Sequence, residues 1–144
     1  MWFFFASAAA LIWGISYAAS GRVLQRGLSP ATLFFLDVLF GLLAVGSYLT
    51  VTRKWPAALG EIRALGGQGV WLAVAVAATT AGNFLIFLAI EGKNATLASL
   101  IEITYPFFVA LFAWLFFRDV QLSWPTAMGG AFVLTGVTII YRYA

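Results

Sequence analysis

The sequence contains no cysteine and no histidine, and only 9% of its 144 residues are charged. Without cysteine, disulfide bonds and thiol catalysis are excluded, and without histidine the usual zinc and haem sites are excluded as well. No nucleophile–base pair, metal cluster or phosphate-binding loop is visible among the remaining polar residues. We therefore expect a protein that is not an enzyme and that holds no metal and no cofactor.

The residues that are abundant are apolar. Hydrophobic residues make up 63% of the chain and aromatic residues 17%, whereas soluble domains are roughly half apolar and about a quarter charged. The apolar runs lack the alternation of apolar and polar residues that membrane β-strands require. The net charge of +3 arises in short loops, which favours contact with anionic lipid headgroups over nucleic acid. The composition predicts an all-α membrane protein whose surroundings are the lipid bilayer.

Five apolar runs each approach the ~20 residues that a spanning helix needs. They cover about residues 1–19, 30–51, 69–90, 95–117 and 124–141. We interpret residues 1–144 as a single five-helix transmembrane domain in the prokaryotic inner (plasma) membrane. The first run lacks a basic region before it, so we expect a retained membrane helix; a cleaved signal peptide is the alternative.

The basic residues are balanced between the two sides of the predicted membrane. Of the eight Lys and Arg, four fall on each side: Arg53, Lys54, Arg63 and Arg118 on one, and Arg22, Arg26, Lys93 and Arg142 on the other. An excess of Lys and Arg in cytoplasmic loops normally sets orientation. The balance leaves two hypotheses open. Either copies insert both ways and pair antiparallel, or the long 52–68 link or the amino terminus fixes one orientation.

The run from Thr96 to Phe117 carries one acid, Glu102, and one proline, Pro106. Proline has no N–H, so the backbone carbonyl of Glu102 loses its usual helical partner. A charged group near the bilayer centre costs roughly 2.5–3.5 kcal/mol on insertion scales, so acids there are rare and indicate function. We interpret Glu102 as the centre of a site.

Other polar residues are predicted at the same depth as Glu102. Counting seven residues, about 10 Å, inward from the 20–30 and 91–94 loops reaches Asp37 on the second helix and Asn83 on the third. On the first and fifth helices the same count falls beside small or polar residues. The predicted substrate- or proton-binding residues are Glu102, Asp37, Asn83, Trp13, Gly14, Tyr17, Tyr105 and Pro106. Among them, Trp13 and Tyr17 are expected to form apolar walls of the site. Asp37 has a second interpretation as a structural acid that meets Arg22 or Arg26.

We expect the glycines of the last helix to pack against a neighbour and several phenylalanines to contact lipid. Gly129, Gly130 and Gly136 predict a close-packing face toward another helix or subunit. Phe107, Phe108, Phe116 and Phe117 are predicted to face lipid.

Three segments together resemble the drug/metabolite transporter superfamily, specifically its EamA-type five-helix unit. They are Leu-Ile-Trp13-Gly14 in the first helix, the run FLIFLAIEGKNATLASLIEITYPFFVALFAWLFFRD over residues 84–119, and WPTAMGGAFVLTGVTII over residues 124–140. Two positions depart from the family pattern. Asp37 stands where many members carry arginine, and Asp119 stands where glutamate is usual.

The resemblance implies a transporter fold in which larger members contain two such units in inverted orientation. An antiparallel homodimer would supply the missing inverted unit. We predict a secondary active transporter of a small cationic or zwitterionic organic solute, with alternating access. Because burial disfavours the charged form of an acid, proton and substrate are expected to compete for Glu102. The alternatives are an uncoupled facilitator or flippase, and a non-transporting membrane subunit in which the acids join helices.

Overall fold

The computed structural model describes residues 1–120 and 123–143, and these residues are helical throughout apart from short connections. Five helical segments are long and apolar enough to cross a membrane: Trp2–Leu24, Pro30–Val51, Gly66–Gly92, Ala95–Phe117 and Trp124–Tyr143. The described part of the chain contains no strand. The five apolar runs of the sequence are therefore membrane-capable helices.

Helix α1, Trp2–Leu24, continues past the predicted end at residue 19. It ends where Leu28 donates its N–H to the Val23 carbonyl and Gly27 adopts φ +93. Glycine reaches this left-handed conformation without the steric cost that a Cβ imposes. The glycine, and not the polar residues before it, sets the end of the helix.

Helix α2, Pro30–Val51, begins with Pro30 in its first turn, and the Ser29 hydroxyl accepts the Thr32 N–H at 3.2 Å. Proline suits this position because a first-turn N–H has no intrahelical partner. A short helix, α3 (Trp55–Ala64), and a 3-10 turn (Gly66–Gln68) follow. Helix α4 then covers Gly69–Gly92, two residues beyond the predicted end at residue 90.

The fourth spanning segment is divided into α5, Ala95–Glu102, and α6, Tyr105–Phe117. The Asn94 side chain caps α5 by accepting the Leu97 N–H at 2.8 Å. The two helices are separated at Ile103 and Thr104, which keep right-handed helical angles. The helical hydrogen-bond pattern is interrupted there because Pro106 has no N–H for the Glu102 carbonyl and its ring crowds that carbonyl. The spanning segment Ala95–Phe117 has the predicted bounds, and the interruption lies within it.

The last spanning helix, α7, covers Trp124–Tyr143, whereas the sequence predicted an end at residue 141. Residues 121 and 122, within the loop that precedes α7, lie outside the described residues, as does residue 144.

The chain forms two compact units, one built from residues 1–21 with 89–144 and the other from Arg22–Leu88. In the first unit, Tyr17, Ile90, Ala98 and Ala113 are buried, and α5 contacts α7. In the second unit, the Phe34 ring lies 5.6 Å from the Phe84 ring and 6.4 Å from the Phe87 ring, measured between centroids. The prediction that residues 1–144 form a single domain stays a prediction.

Most large apolar side chains are exposed, including Phe40, Leu42, Phe108 and Phe132. In water such exposure would be highly unfavourable, at roughly 25 cal/mol per Å² of apolar surface. In a bilayer the same side chains meet lipid chains, so exposure carries no such cost. The exposure pattern agrees with an integral multi-pass membrane protein.

Candidate functional site in the first unit

The site centres on a hydrogen bond between two spanning segments. The Tyr17 hydroxyl on α1 donates to Glu102 Oε2 on α5 at a distance of 2.7 Å. Tyr17 is 8% exposed, and Glu102 is half-buried. This distance is typical of a hydrogen bond between a hydroxyl and a carboxyl oxygen. The acid that the sequence marks therefore has a defined partner 85 positions away in the chain.

Helix geometry places both residues at the same depth. Tyr17 lies seven residues before the end of α1 at Leu24, and Glu102 lies seven residues after the start of α5 at Ala95. At ~1.5 Å per residue, each is about 10 Å from its helix end. The hydrogen bond therefore lies inside the predicted hydrocarbon region.

A close approach of α1 and α5 holds the pair together. A Cβ added at Gly21 would lie 3.1 Å from the Ala95 Cβ and 3.7 Å from Ile90 Cγ2. Only a residue without a side chain lets the two backbones come this near. Gly21 is one turn from Tyr17, so this contact fixes the distance between the helices beside the hydrogen bond.

Trp13 lies one turn deeper than Tyr17 on the same face of α1. The two rings have centroids 5.4 Å apart and planes inclined by 55°, an arrangement that aromatic pairs favour. Trp13 is 48% exposed, and a Cβ added at Gly14 would meet no atom within 4 Å. The indole therefore keeps a free surface close to the Tyr17–Glu102 pair, and space remains beside it.

Tyr105 and Pro106 follow Glu102 across the break between α5 and α6. Both are exposed, Tyr105 to 60%. Pro106 has no N–H to donate to the Glu102 carbonyl, as the sequence indicates. The Thr104 hydroxyl donates to the Ile101 carbonyl at 2.9 Å, which satisfies one of the last carbonyls of α5. Glu102 thus lies at the end of α5, where the helical hydrogen-bond pattern is interrupted.

Asp37 and Asn83 belong to the second unit, on α2 and α4. Asp37 is exposed and Asn83 is half-buried. In the part of the chain that the structure describes, no ion pair joins Asp37 to Arg22 or Arg26, so the interpretation of Asp37 as their structural partner gains no support. The prediction that Asp37 and Asn83 share one polar layer with Glu102 stays a prediction.

The glycines of α7 differ in their surroundings. A Cβ at Gly130 would lie 2.5 Å from Phe107 Cζ, whereas a Cβ at Gly129 or Gly136 would meet nothing within 4 Å. Gly130 is therefore a packing position between α6 and α7. Phe107 was predicted to face lipid, and that prediction is wrong because its ring packs against Gly130 and is half-buried.

The sequence did not predict the polar role of Tyr17, which it assigned to an apolar wall. One signal was present: Trp13, Tyr17, Ser20, Gly21 and Leu24 recur at helical spacing, and the last four are buried. A tyrosine, a serine and a glycine on the buried face of a spanning helix indicate a polar or close contact with a neighbour. Periodicity alone does not reveal which neighbour supplies it.

No group of three or more His, Cys, Asp or Glu side chains converges within residues 1–120 and 123–143. The site as described consists of one carboxylate, one phenol and an indole surface. Such a set suits an organic cation or a proton, because the carboxylate attracts positive charge and aromatic faces bind cations through their negative π-surface.

A family model described as the EamA-like transporter family matches residues 1–142, nearly the whole chain. The chain belongs to the EamA-like transporter family. This places it in the drug/metabolite transporter superfamily, which the arrangement of motifs also indicates. No curated protein and no solved structure matches the chain. The EamA-like family is a family of transporters and not of enzymes.

Proposed function

We propose that this EamA-like protein is a secondary active transporter of a small cationic or zwitterionic organic solute, coupled to protons through Glu102. The observation that carries the proposal is the hydrogen bond from Tyr17 to Glu102 within the spanning segments. An acid at this depth costs free energy, and helix packing alone does not require an acid there. Family membership adds that the chain is a membrane protein of the transporter type.

In the proposed cycle, Glu102 binds either a proton or the substrate. When Glu102 is ionised, the Tyr17 hydroxyl stabilises its charge. A cationic group of the substrate takes a place beside the same carboxylate, with the exposed surface of Trp13 against its apolar part. When Glu102 binds a proton, its charge is lost and the substrate is released. Exchange of proton for substrate couples the two fluxes.

The break between α5 and α6 supports a conformational role for the same region. Discontinuous helices line the substrate sites of many transporters, because irregular backbone is tolerated in a membrane only where it lies within protein or beside a cavity. Residues Ile103 and Thr104 separate the two helices directly after Glu102. Rotation about these residues would move α6 while α5 keeps Glu102 beside Tyr17.

We further propose that two copies pair antiparallel in the prokaryotic inner (plasma) membrane. Two facts support this pairing. The chain has five membrane-capable helices, so a single crossing by each would put the two ends on opposite sides, and its eight Lys and Arg would then divide equally between the sides. An inverted second copy would complete the two-unit arrangement of larger transporters.

The deciding experiment measures transport currents from purified protein reconstituted on a solid-supported membrane. Amines, amino acids, nucleosides and sugars are applied at several pH values, to wild-type protein and to Glu102→Gln. We expect a current from a cationic or zwitterionic solute that depends on pH and that Glu102→Gln loses.

The rival functions give different results in the same experiment. A facilitator would give substrate flux with a flat pH profile that Glu102→Gln retains. A non-transporting subunit would give no current with any solute, although the protein is folded, and mutation of Glu102 would then disrupt assembly. Either result would exclude proton coupling through Glu102.

A further inference from the structure

Helix α3, Trp55–Ala64, is tied to the membrane surface at both ends. Residues 52–54 join it to the end of α2 at Val51, and residues 65–68 join it to the start of α4 at Gly69. Both neighbours are membrane-capable helices. A fully extended chain spans at most ~3.6 Å per residue, so residues 52–54 reach only about 10 Å. The hydrogen bonds from Trp55 Nε1 to Thr50 Oγ1 and from the Lys54 N–H to the Leu49 carbonyl shorten this distance further, so the start of α3 lies close to the layer of lipid headgroups at the end of α2.

One face of α3 is apolar and uncovered. Trp55, Leu59 and Ile62 recur at i, i+4 and i+7, which places them on one side of the helix, and all three are exposed. Arg63 flanks this face by its position on the helix. Short helices with an apolar face and flanking basic residues lie in the plane of the membrane interface, with the apolar side toward the acyl chains.

The turn before α3 carries two cations, and contacts with Tyr48 position one of them. Lys54 Nζ donates to the Tyr48 hydroxyl at 3.1 Å and lies 5.3 Å from the centroid of the Tyr48 ring. Trp55 Nε1 donates to Thr50 Oγ1 at 3.0 Å. Arg53 adopts φ +54 within this turn. The first residue of α3 and the lysine before it are therefore bonded to the last turn of α2.

These cations have no acidic partner in the described residues: no ion pair to Arg53, Lys54 or Arg63 occurs within residues 1–120 and 123–143. The Lys54 ammonium retains N–H donors beyond the one that meets Tyr48, and the Arg53 guanidinium is a fork that matches phosphate oxygens. Two unpaired cations beside an apolar face at headgroup depth complement a lipid with a negative headgroup.

We propose that residues 48–63 form a binding site for anionic phospholipids. Arg53 and Lys54 hold the charged headgroup, and Trp55, Leu59 and Ile62 lie against the upper part of the acyl chains. This site is distinct from the Tyr17–Glu102 pair and does not depend on the transported solute.

The test uses the absence of cysteine from the chain. A fluorophore is attached to the single cysteine of Leu59→Cys in the full-length protein, which is reconstituted into phosphatidylcholine vesicles. Brominated phosphatidylglycerol or brominated phosphatidylcholine then replaces an equal fraction of lipid, and quenching is compared. Each Lys or Arg near an anionic surface favours binding about fivefold, so the two cations predict a relative preference for phosphatidylglycerol of about 25-fold.

Two double variants decide whether Arg53 and Lys54 carry the preference. In Arg53→Gln/Lys54→Gln we expect the preference to fall to near one, and in Arg22→Gln/Arg26→Gln, which removes the same charge elsewhere, we expect it to be unchanged. Equal quenching by the two lipids in the otherwise unaltered protein would overturn the proposal. An equal loss of the preference in both double variants would assign the preference to net charge. A label that neither lipid quenches would place α3 outside the membrane interface. Each of these results would also overturn the proposal.

Discussion

At the scale of single residues, Tyr17 and Glu102 show how a spanning helix tolerates an acid. Desolvation of a carboxylate is costly, and the cost is reduced when a donor from another helix supplies a hydrogen bond. The Tyr17 hydroxyl supplies it at 2.7 Å. The pair is therefore a structural link between α1 and α5 as well as a candidate site. Stability and transport measurements on the same variants separate the two roles.

We predict that Tyr17→Phe destabilises the protein by about 1–2 kcal/mol, the upper range for hydrogen bonds between membrane helices. The loss arises because Glu102 keeps its carboxylate but loses its donor. Thermal unfolding in detergent micelles, followed by circular dichroism, measures the change. In the Glu102→Leu background the same substitution should cost much less, because no acceptor remains.

Tyr141→Phe is the matched control for Tyr17→Phe, because Tyr141 is 81% exposed. It should leave the unfolding temperature nearly unchanged. If Tyr17→Phe were equally costly with and without Glu102, the coupling between the two side chains would be absent and the hydrogen bond would not stabilise the fold.

Gly130 gives a second prediction at this scale. A methyl group there would lie 2.5 Å from the end of the Phe107 ring, so Gly130→Ala should force α6 and α7 apart and destabilise the protein by about 1–3 kcal/mol. Gly129→Ala adds the same methyl group in open space and should be neutral or slightly stabilising, because alanine favours helix over glycine. Unfolding of the two variants in the same detergent compares them directly, and equal effects would refute the contact.

At the scale of secondary-structure elements, the decisive feature is the interruption of the fourth spanning segment. Pro106 removes a donor that the Glu102 carbonyl would otherwise receive, and α5 ends at Glu102. The Asn94 cap fixes the other end of α5. The short helix between these two signals places Glu102 at a helix end, directly before the interruption.

We predict that Pro106→Ala lowers the transport rate and leaves the fold intact. Alanine restores the N–H and removes the steric clash, which favours one continuous helix over residues 95–117. Transport currents under the conditions of the function test report the rate, and circular dichroism reports helix content. The matched control is Pro56→Ala in the first turn of α3, where no spanning helix is interrupted and transport should be unchanged. An unaltered rate in Pro106→Ala would mean that the break does not act in the transport cycle.

At the scale of the whole molecule, orientation depends on very few charges. In the predicted topology four basic residues lie on each side, so adding or removing one or two changes which side has the excess. We predict that wild-type protein inserts both ways. Reporter proteins fused at the carboxyl terminus, one active only inside and one active only outside the cytoplasm, should both show activity.

Charge variants extend this prediction to the dimer. Arg22→Gln/Arg26→Gln and Arg53→Gln/Lys54→Gln should each insert in one orientation, and the two orientations should be opposite. Each variant alone should lose transport, and co-expression of the two should restore it, because an antiparallel pair needs both orientations. Full transport by a variant that inserts in only one orientation would exclude the antiparallel homodimer.

The sequence by itself determined that the chain is helical, that it crosses a membrane and that it belongs to a transporter family. These properties follow from composition, from the length of apolar runs and from the order of small-residue motifs, all of which are local. The sequence also identified Glu102, because an acid within an apolar run is energetically exceptional whatever surrounds it.

Only the tertiary structure decided which residues meet. We predicted that Tyr17 forms an apolar wall and that Phe107 faces lipid. An apolar sequence does not distinguish aromatic rings that contact lipid from those that contact another helix. In the structure the Tyr17 hydroxyl donates to Glu102, and the Phe107 ring packs against Gly130. Both depend on how two helices approach and rotate about their axes, and such contacts between residues far apart in the chain leave little trace in the local pattern.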